Sequence, residues 1–407
     1  VNADDTAVNT EDHALGAAVR ALVSRSLDVI AANQAASGAY PAAPDFSAYR
    51  GYCWLRDGAF IAEGMSRHGD AAGAWAFHAW CGRVIGERAP WVDMLLDRSG
   101  RTPAPAEMLP ARFTLDGRDG DDEWWDFQLD GYGTWLWALA EHARRHGGNL
   151  PEEAARTAAR YLTAFWGLPC YDWWEEHLAH RHVSTLGAIH AGLRAAVALG
   201  VLTRPESEAA TEAAEAIAAL VAAEGVAEEV PDGVAEGVPD GAARGNAAGS
   251  TPGSAAGPYG GHLVKWLGSR EVDGSLVACV EPFGLYSADH PVGAGTVAAV
   301  ERALAWEGGV HRYLADTFYG GGRWPLLSGF LGWNHARAGR TAEAGRYLAW
   351  MAAQAAPGGL LPEQVSDRLL APGRRAEWEE RWGPVATPLL WSHGMYLVLA
   401  DELGVRP

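Results

Sequence analysis

The feature that most constrains this chain is a helical period of apolar residues that keeps returning along its length. Leu15, Val19, Leu22, Val23, Leu27 and Ile30 lie on one stripe at helical spacing. Leu186, Ile189, Leu193 and Val197 form a second stripe that stops at Gly200, a natural helix terminator. Ala-rich helical stretches are expected near 72–87, 129–147, 152–166, 206–223, 291–306, 324–338, 341–355 and 385–403, with the first helix starting near residue 12. Strand-like alternation is scarce. The expectation is an all-α chain of eleven or twelve helices, with chemistry carried on the Gly-, Pro- and Trp-rich loops between them.

Residues 225–260 depart from this period. They contain VAEEVPDG, then VAEGVPDG, then a Gly/Ala/Ser/Pro tract. Such a stretch cannot bury enough apolar surface to offset its ordering entropy, so it reads as a flexible insertion. Segments rich in reactive residues lie on both sides of it, which favours one catalytic domain over 1–407 rather than two domains joined by a linker.

Charge narrows the partners. With 32 basic and 51 acidic residues the formal charge is −19, which disfavours nucleic acid and anionic membrane surfaces as partners. A neutral sugar is unaffected. No apolar run is long enough to span a bilayer, and the opening VNADDTAVNTED has no apolar signal core. The four cysteines, Cys53, Cys81, Cys170 and Cys279, form no CxxC pair. They read as buried thiols in a reducing compartment, so the expected location is the cytoplasm. No metal or organic cofactor is implied. His177, His180 and His182 follow no zinc spacing and read as surface histidines.

The 19 tryptophans point to a ligand. Trp54, Trp124, Trp125, Trp173, Trp174, Trp324, Trp378 and Trp391 sit near polar or charged residues, a mixture suited to the apolar faces and hydroxyl rims of sugars. Five segments carry it. Tyr49–Ala59 holds Trp54 and the Arg56-Asp57 pair, which can donate to and accept from adjacent hydroxyls or form an ion pair at a helix start. Trp124–Tyr132 holds Gln128 and Asp130. Cys170–His177 sets Glu175 and Glu176 behind paired tryptophans, where an apolar wall raises a carboxyl toward the pKa of a general acid. Arg312–Trp324 includes Phe318 and three glycines. Leu361–Gln364 presents Glu363, followed by Thr387–His393 with Trp391.

In this order the five segments resemble glycoside hydrolase family 15, the glucoamylase family. The resemblance covers about residues 40–400 and rests on Trp54–Asp57, Gln128–Gly131, Tyr171–Glu176, Arg312–Tyr319, Glu363-Gln364 and Leu389–Ser392. It implies an (α/α)6 barrel. It implies that Glu175 is the acid, Glu363 the base that activates water, and Glu176, Arg56, Asp57 and Arg312 sugar-holding residues. Trp54, Trp124, Trp174, Phe318 and Trp391 join the substrate pocket, with Trp125 an alternative to Trp124. Tyr49 or Tyr52 faces the reactive carbon; Tyr49 is taken as the match.

An acid and a base on opposite faces of the bond give inversion, so an α-glucoside releases β-glucose. Phe318 stands where many family members carry tyrosine, a feature expected in the isomaltose-cleaving branch. The absence of accessory domains on either side of the barrel points the same way, to a small oligosaccharide. Maltooligosaccharide, trehalose or another glycoside are the competing substrates. A phosphorylase would not need Glu363, and an inactive sugar-binding barrel would not need both glutamates. Oligomeric state is not legible.

Overall fold

The computed structural model describes the backbone of residues 3–97, 101–228 and 261–407, and side chains from residue 16 onward within those ranges. Thirteen helices run through the described residues: α1 Ala3–Asn33, α2 Leu55–Arg67, α3 Ala71–Gly86, α4 Ala89–Asp97, α5 Asp130–His146, α6 Glu152–Phe165, α7 Val183–Leu199, α8 Arg204–Glu224, α9 Pro291–Leu304, α10 Pro325–Arg337, α11 Thr341–Ala353, α12 Arg375–Trp382 and α13 Leu390–Glu402. Three short antiparallel ribbons complete it: β1 Tyr52–Trp54 with β2 Arg112–Thr114, β3 Val226–Ala227 with β4 His262–Leu263, and β5 Ala305–Trp306 with β6 Gly309–Val310.

Burial sorts the helices into two layers. In α2, α5, α7, α10 and α13 nearly every residue is buried, on all sides of the helix or over most of its length. A helix apolar all round must be surrounded by protein. The 3₁₀ segment Gly274–Cys279 is buried throughout as well. These six pack in a closed ring, α2–α5–α7–(274–279)–α10–α13 and back to α2. The amphipathic α1, α3, α6, α8, α9 and α11 pack outside. The result is an (α/α)6 barrel whose fourth inner element is a 3₁₀ turn rather than a full helix. Inner helices approach closely where side chains are missing: a Cβ on Gly133 of α5 would lie 2.3 Å from the Ala188 carbonyl oxygen of α7.

Seven of the eight expected Ala-rich helices fall within two residues of the predicted limits. In the stripe on α1, Val19, Leu22, Val23 and Ile30 are buried and Leu27 is half-buried. α7 ends on Gly200 in the left-handed conformation, φ 70°.

Several expectations are corrected. The first helix begins at Ala3, not near residue 12. α13 begins at Leu390 instead of 385, because residues 386–389 run extended beside the Leu361–Glu363 backbone, with Glu363 N donating to Ala386 O at 2.9 Å and Leu389 N to Leu361 O at 2.9 Å. α9 stops at Leu304 where β5 takes over. Of the 225–260 segment, only 225–228 are described, and Val226–Ala227 there are strand, pinned to His262–Leu263. The remainder, 229–260, lies outside the described residues. α2, α4 and α12 form helices where none was marked.

The connections leading into α2, α5, α7, α10 and α13 converge at one end of the barrel, where their residues line a common cavity. Every segment singled out in the sequence lies on such a connection or in the first turn after it.

Candidate active site

One cavity of about 390 Å³ opens at that end, a volume suited to a small ligand. It is lined by Tyr49, Trp54, Arg56, Asp57, Trp124, Trp174, Glu175, Glu176, Arg312, Phe318, Glu363 and Trp391. All twelve residues drawn from five distant segments are therefore brought together. Trp125, Tyr171, Trp173, His177, Trp324, Trp378 and Trp382 also contribute. Both Trp124 and Trp125 are in the wall, and every tryptophan near polar or charged residues that was marked from the sequence reaches it. Trp382 was missed, and α12 with it. The available signal was Trp378 and Trp382 four residues apart in an otherwise charged stretch, an apolar stripe one helical turn long.

Tyr49 and Tyr52 separate cleanly. The Tyr49 hydroxyl donates to Glu363 Oε1 at 3.2 Å. Tyr52 turns away, donating to Asp122 at 2.9 Å, with the buried Arg112 guanidinium 3.8 Å above its ring. Arg112 also stacks 4.1 Å from Trp124 and so supports the wall from behind.

Glu175 sits in a strained turn. Its φ is +66°, and His177 follows at +58°, a conformation costing a non-glycine residue about 1–2 kcal/mol. Asp172 holds the turn: its Oδ1 accepts from the backbone N–H of Trp174 and of Glu176, each at 2.9 Å, and its carbonyl accepts from Glu175 N at 3.0 Å. Glu175 Oε1 accepts from Trp54 Nε1 at 2.6 Å and from Gln128 Nε2 at 3.3 Å. Burial raises its pKa above the usual carboxylate range. Glu176 accepts from the Tyr313 hydroxyl and lies 3.5 Å from Arg312 Nη2.

Glu363 is 3% exposed. Burial pushes its pKa up to about 8, opposed by the Tyr49 hydrogen bond and Arg312, and assisted by the charges of Asp57 and Glu175. Its Oε2 has no hydrogen-bond partner. The loop beneath it is fixed from α13: Ser392 Oγ donates to Pro362 O at 2.8 Å, and Leu361 N donates to His393 Nε2 at 2.9 Å. That leaves His393 Nδ1 to donate to Ser26 Oγ at 2.9 Å.

The remaining polar groups frame a hydroxyl-rich ligand. In the first turn of α2, Arg56 Nη1 donates to Gln128 at 2.7 Å and pairs with Asp130 at 2.9 Å. Its Nε and Asp57 Oδ1, 3.5 Å apart, lack hydrogen bonds. Burial pushes Asp57 up to about 7. Arg312 is held by Asp316, Nε to Oδ2 at 2.8 Å, and lies 5.2 Å from the rings of Trp174 and Phe318. The glycines after Phe318 are steric necessities: at Gly321, φ +71°, a Cβ would lie 2.4 Å from Asp316 O. Gly322 N then donates to Gln364 Oε1 at 2.8 Å, and Gln364 Nε2 to Phe318 O at 3.1 Å, tying this loop to the Glu363 loop.

The histidines do not cluster on one point. His180 stacks on Trp266 at 4.4 Å, and His182, expected at the surface, is instead buried at the start of α7, where its Nε2 donates to His177 O at 3.0 Å. His177, Asp172 and Glu176 do bring ligand atoms within 4.8 Å of one another, but Asp172 is committed to its turn and Glu176 to Tyr313.

The family model of the glycosyl hydrolases family 15 matches residues 17–245. An isomaltose glucohydrolase of Kribbella flavida is 55% identical over 392 residues, 95% of this chain and 93% of that protein. A wild-type glycosidase of known structure is 55% identical, with a TM-score of 0.86 over 97% of this chain and 99% of that one. A bacterial glucoamylase complexed with acarbose shares the fold at 19% identity, with a TM-score of 0.68 over 95% of this chain and 56% of that one.

Proposed function

Because this chain belongs to glycosyl hydrolase family 15, we propose that it is an inverting, exo-acting α-glucoside hydrolase that releases β-glucose from the non-reducing end of isomaltose. The single observation that carries the reading is the pair of carboxyls in one cavity, each with its own fixed support: Glu175 under Trp54 and Gln128, Glu363 under Tyr49. The substrate follows from the isomaltose glucohydrolase relative.

In this mechanism Glu175 donates its proton to the glycosidic oxygen. Glu363 takes a proton from a water held at its free Oε2, and that water attacks the anomeric carbon from the face opposite the leaving group. One C–O bond breaks, one forms, and the configuration inverts. Burial of both carboxyls in a wall of tryptophans keeps their pKa values high enough for one proton to remain in the pair near neutrality. Trp54 and Gln128 prefer Glu175 ionised, while Glu363 is pushed up to about 8. The two carboxyls share this proton. A glycosidic oxygen beside Glu175 and a water at Glu363 Oε2 shift it to the productive arrangement.

Arg56, Asp57 and Arg312 hold hydroxyls of the glucose ring, and Phe318 with Trp378 and Trp382 forms the outer wall. The reading includes one catalytic domain over the whole chain with an insertion at 225–260, and a cytoplasmic site of action to which four buried free thiols are suited. Among the described residues no helix is long and apolar enough to cross a membrane.

The test is proton NMR of the anomeric region at early times with isomaltose, maltose and trehalose supplied separately. β-Glucose appearing first, and fastest from isomaltose, is expected. Initial α-glucose would overturn the acid/base pair, and equal rates on α-1,4 and α-1,6 linkages would overturn the substrate.

A further inference from the structure

Of 32 basic residues, 31 are arginine and one is lysine. That lysine, Lys265, is 2% exposed. It follows β4, and its backbone is pinned on both sides: its N–H donates to Glu271 O at 2.8 Å, and its carbonyl accepts from Val183 N, at the start of α7, at 3.1 Å. The ammonium lies 3.3 Å from Asp273 Oδ2, 4.0 Å from Asp172 Oδ2 and 3.1 Å from the ring centroid of Tyr313. A buried charge is costly unless its neighbours answer it, and this one is not among the residues lining the cavity.

Each neighbour leads to the active site. Asp172 holds the turn that presents Glu175 and Glu176. Asp273 accepts from Trp174 Nε1 at 3.0 Å and from Ser275 N and Oγ at 2.9 and 2.6 Å. Tyr313 donates its hydroxyl to Glu176. Other charged or titratable groups around this cluster include Arg312, 5.5 Å from the Tyr313 ring centroid, His182, whose Nδ1 lies 4.0 Å from Asp172, and His177, on which the Lys265 charge acts.

We propose that Lys265 is a positioning residue for the catalytic-acid turn: its ammonium sits between the Asp172 and Asp273 side chains and anchors the Tyr313 ring, and through them it fixes Glu175 and Glu176. The inference rests on Glu175 being the acid. Without the ammonium the attraction that seats the Asp172 side chain is lost, and the carboxyl that accepts from the Trp174 and Glu176 N–H groups is free to shift. Burial already pushes Asp172 up to about 7, with Lys265 opposing it. The compact ammonium explains why lysine is kept in a chain that otherwise uses arginine. A planar guanidinium on a different stem presents its donors in a fixed fork and is not equivalent to a compact ammonium at this seat.

The test compares Lys265→Met, Lys265→Arg, Asp172→Asn and the Lys265→Met/Asp172→Asn double variant, all in the full chain. Two readouts are taken: kcat and KM on isomaltose, and amide hydrogen exchange of residues 171–177 without substrate. A displacement of about 1 Å at the acid costs roughly 100-fold. Lys265→Met is therefore expected to lower kcat by about that factor with KM within about threefold, and to speed exchange across 171–177. Lys265→Arg should not rescue, and the double variant should be no worse than the poorer single variant. A folded Lys265→Met with wild-type kcat and exchange, or losses that multiply in the double variant, would overturn the proposal. If Lys265→Met does not fold, Asp172→Asn decides: unchanged exchange over 171–177 overturns it, and faster exchange supports it. Failure of the wild-type protein to cleave isomaltose would sink the functional reading instead, and the exchange comparison would still decide this one.

Discussion

Replacing Tyr49 by phenylalanine should change the pH dependence of catalysis, not only its rate. The hydroxyl donates to Glu363 Oε1 at 3.2 Å, and Oε2 of the same carboxyl has no partner. Burial and the nearby Glu363 charge hold the Tyr49 hydroxyl far above its ordinary pKa, so it stays a donor throughout the working range. A hydrogen bond to a charged group contributes roughly 1.5–3 kcal/mol, and 3.2 Å is long for an O–H···O contact. The low end applies, about 1.4 kcal/mol, equivalent to tenfold in a protonation constant. The bond favours ionised Glu363, so its loss raises the Glu363 pKa, already pushed up to about 8. The expected result is a kcat/KM on isomaltose about tenfold lower at all pH values below about 8. The Glu363 limb of the profile should move up by about one pH unit, and the deficit should close on the alkaline side. A loss of the same size at every pH, with both limbs in place, would refute the argument and make Tyr49 a substrate contact instead.

Trp382, on the outer wall beside Trp124 and Phe318, should act by binding alone: Trp382→Ala is expected to raise KM about tenfold, for about 1.4 kcal/mol of stacking, with kcat within twofold. A fall in kcat without a rise in KM would contradict it. His78 is fully buried with neither ring nitrogen hydrogen-bonded, and burial pushes its pKa down to about 3. Between the unfolded value near 6.5 and about 3 the unfolded chain binds the extra proton. Stability contributed by neutral His78 is therefore present above pH 6.5 and is lost as pH falls, by up to about 1.4 kcal/mol per pH unit. His78→Phe should flatten the decline of Tm from pH 6.5 to 4, and an unchanged slope would show that His78 does not drive it.

The helical period was legible because each inner or outer helix must turn an apolar stripe, or its whole surface, toward protein. α2 hid because its sequence, LRDGAFIAEGMSR, begins with a charged pair and carries two glycines; the glycines serve close approaches, Gly64 to Gly394 and Gly58 to Phe77. α12 hid because six of its eight residues are polar or small, and its two tryptophans, which line the cavity, make a stripe only one turn long. The start of α13 was misplaced because backbone pairing of 386–389 with 361–363 outweighs local propensity, a tertiary effect invisible to periodicity.

The site was legible as residue types in order. Paired glutamates behind tryptophans, an Arg-Asp pair and a glutamate beside glutamine are costly in a core and useful in a pocket. By itself the sequence determined the all-α class from its helical period, and its five segments supplied twelve of the residues that line the cavity, because both follow from local order; the barrel and the roles of the residues came from the resemblance of those segments to the family. Only the tertiary structure decided which tyrosine meets Glu363, that Asp172 and not a ligand holds the Glu175 turn, and that the single lysine lies behind it. The tyrosine and the lysine depend on contacts between residues more than 90 positions apart, Tyr49 with Glu363 and Lys265 with Asp172. The Asp172 turn depends on a local conformation at positive φ, and the carboxyl pKa values on burial that excludes water. Sequence spacing encodes none of these.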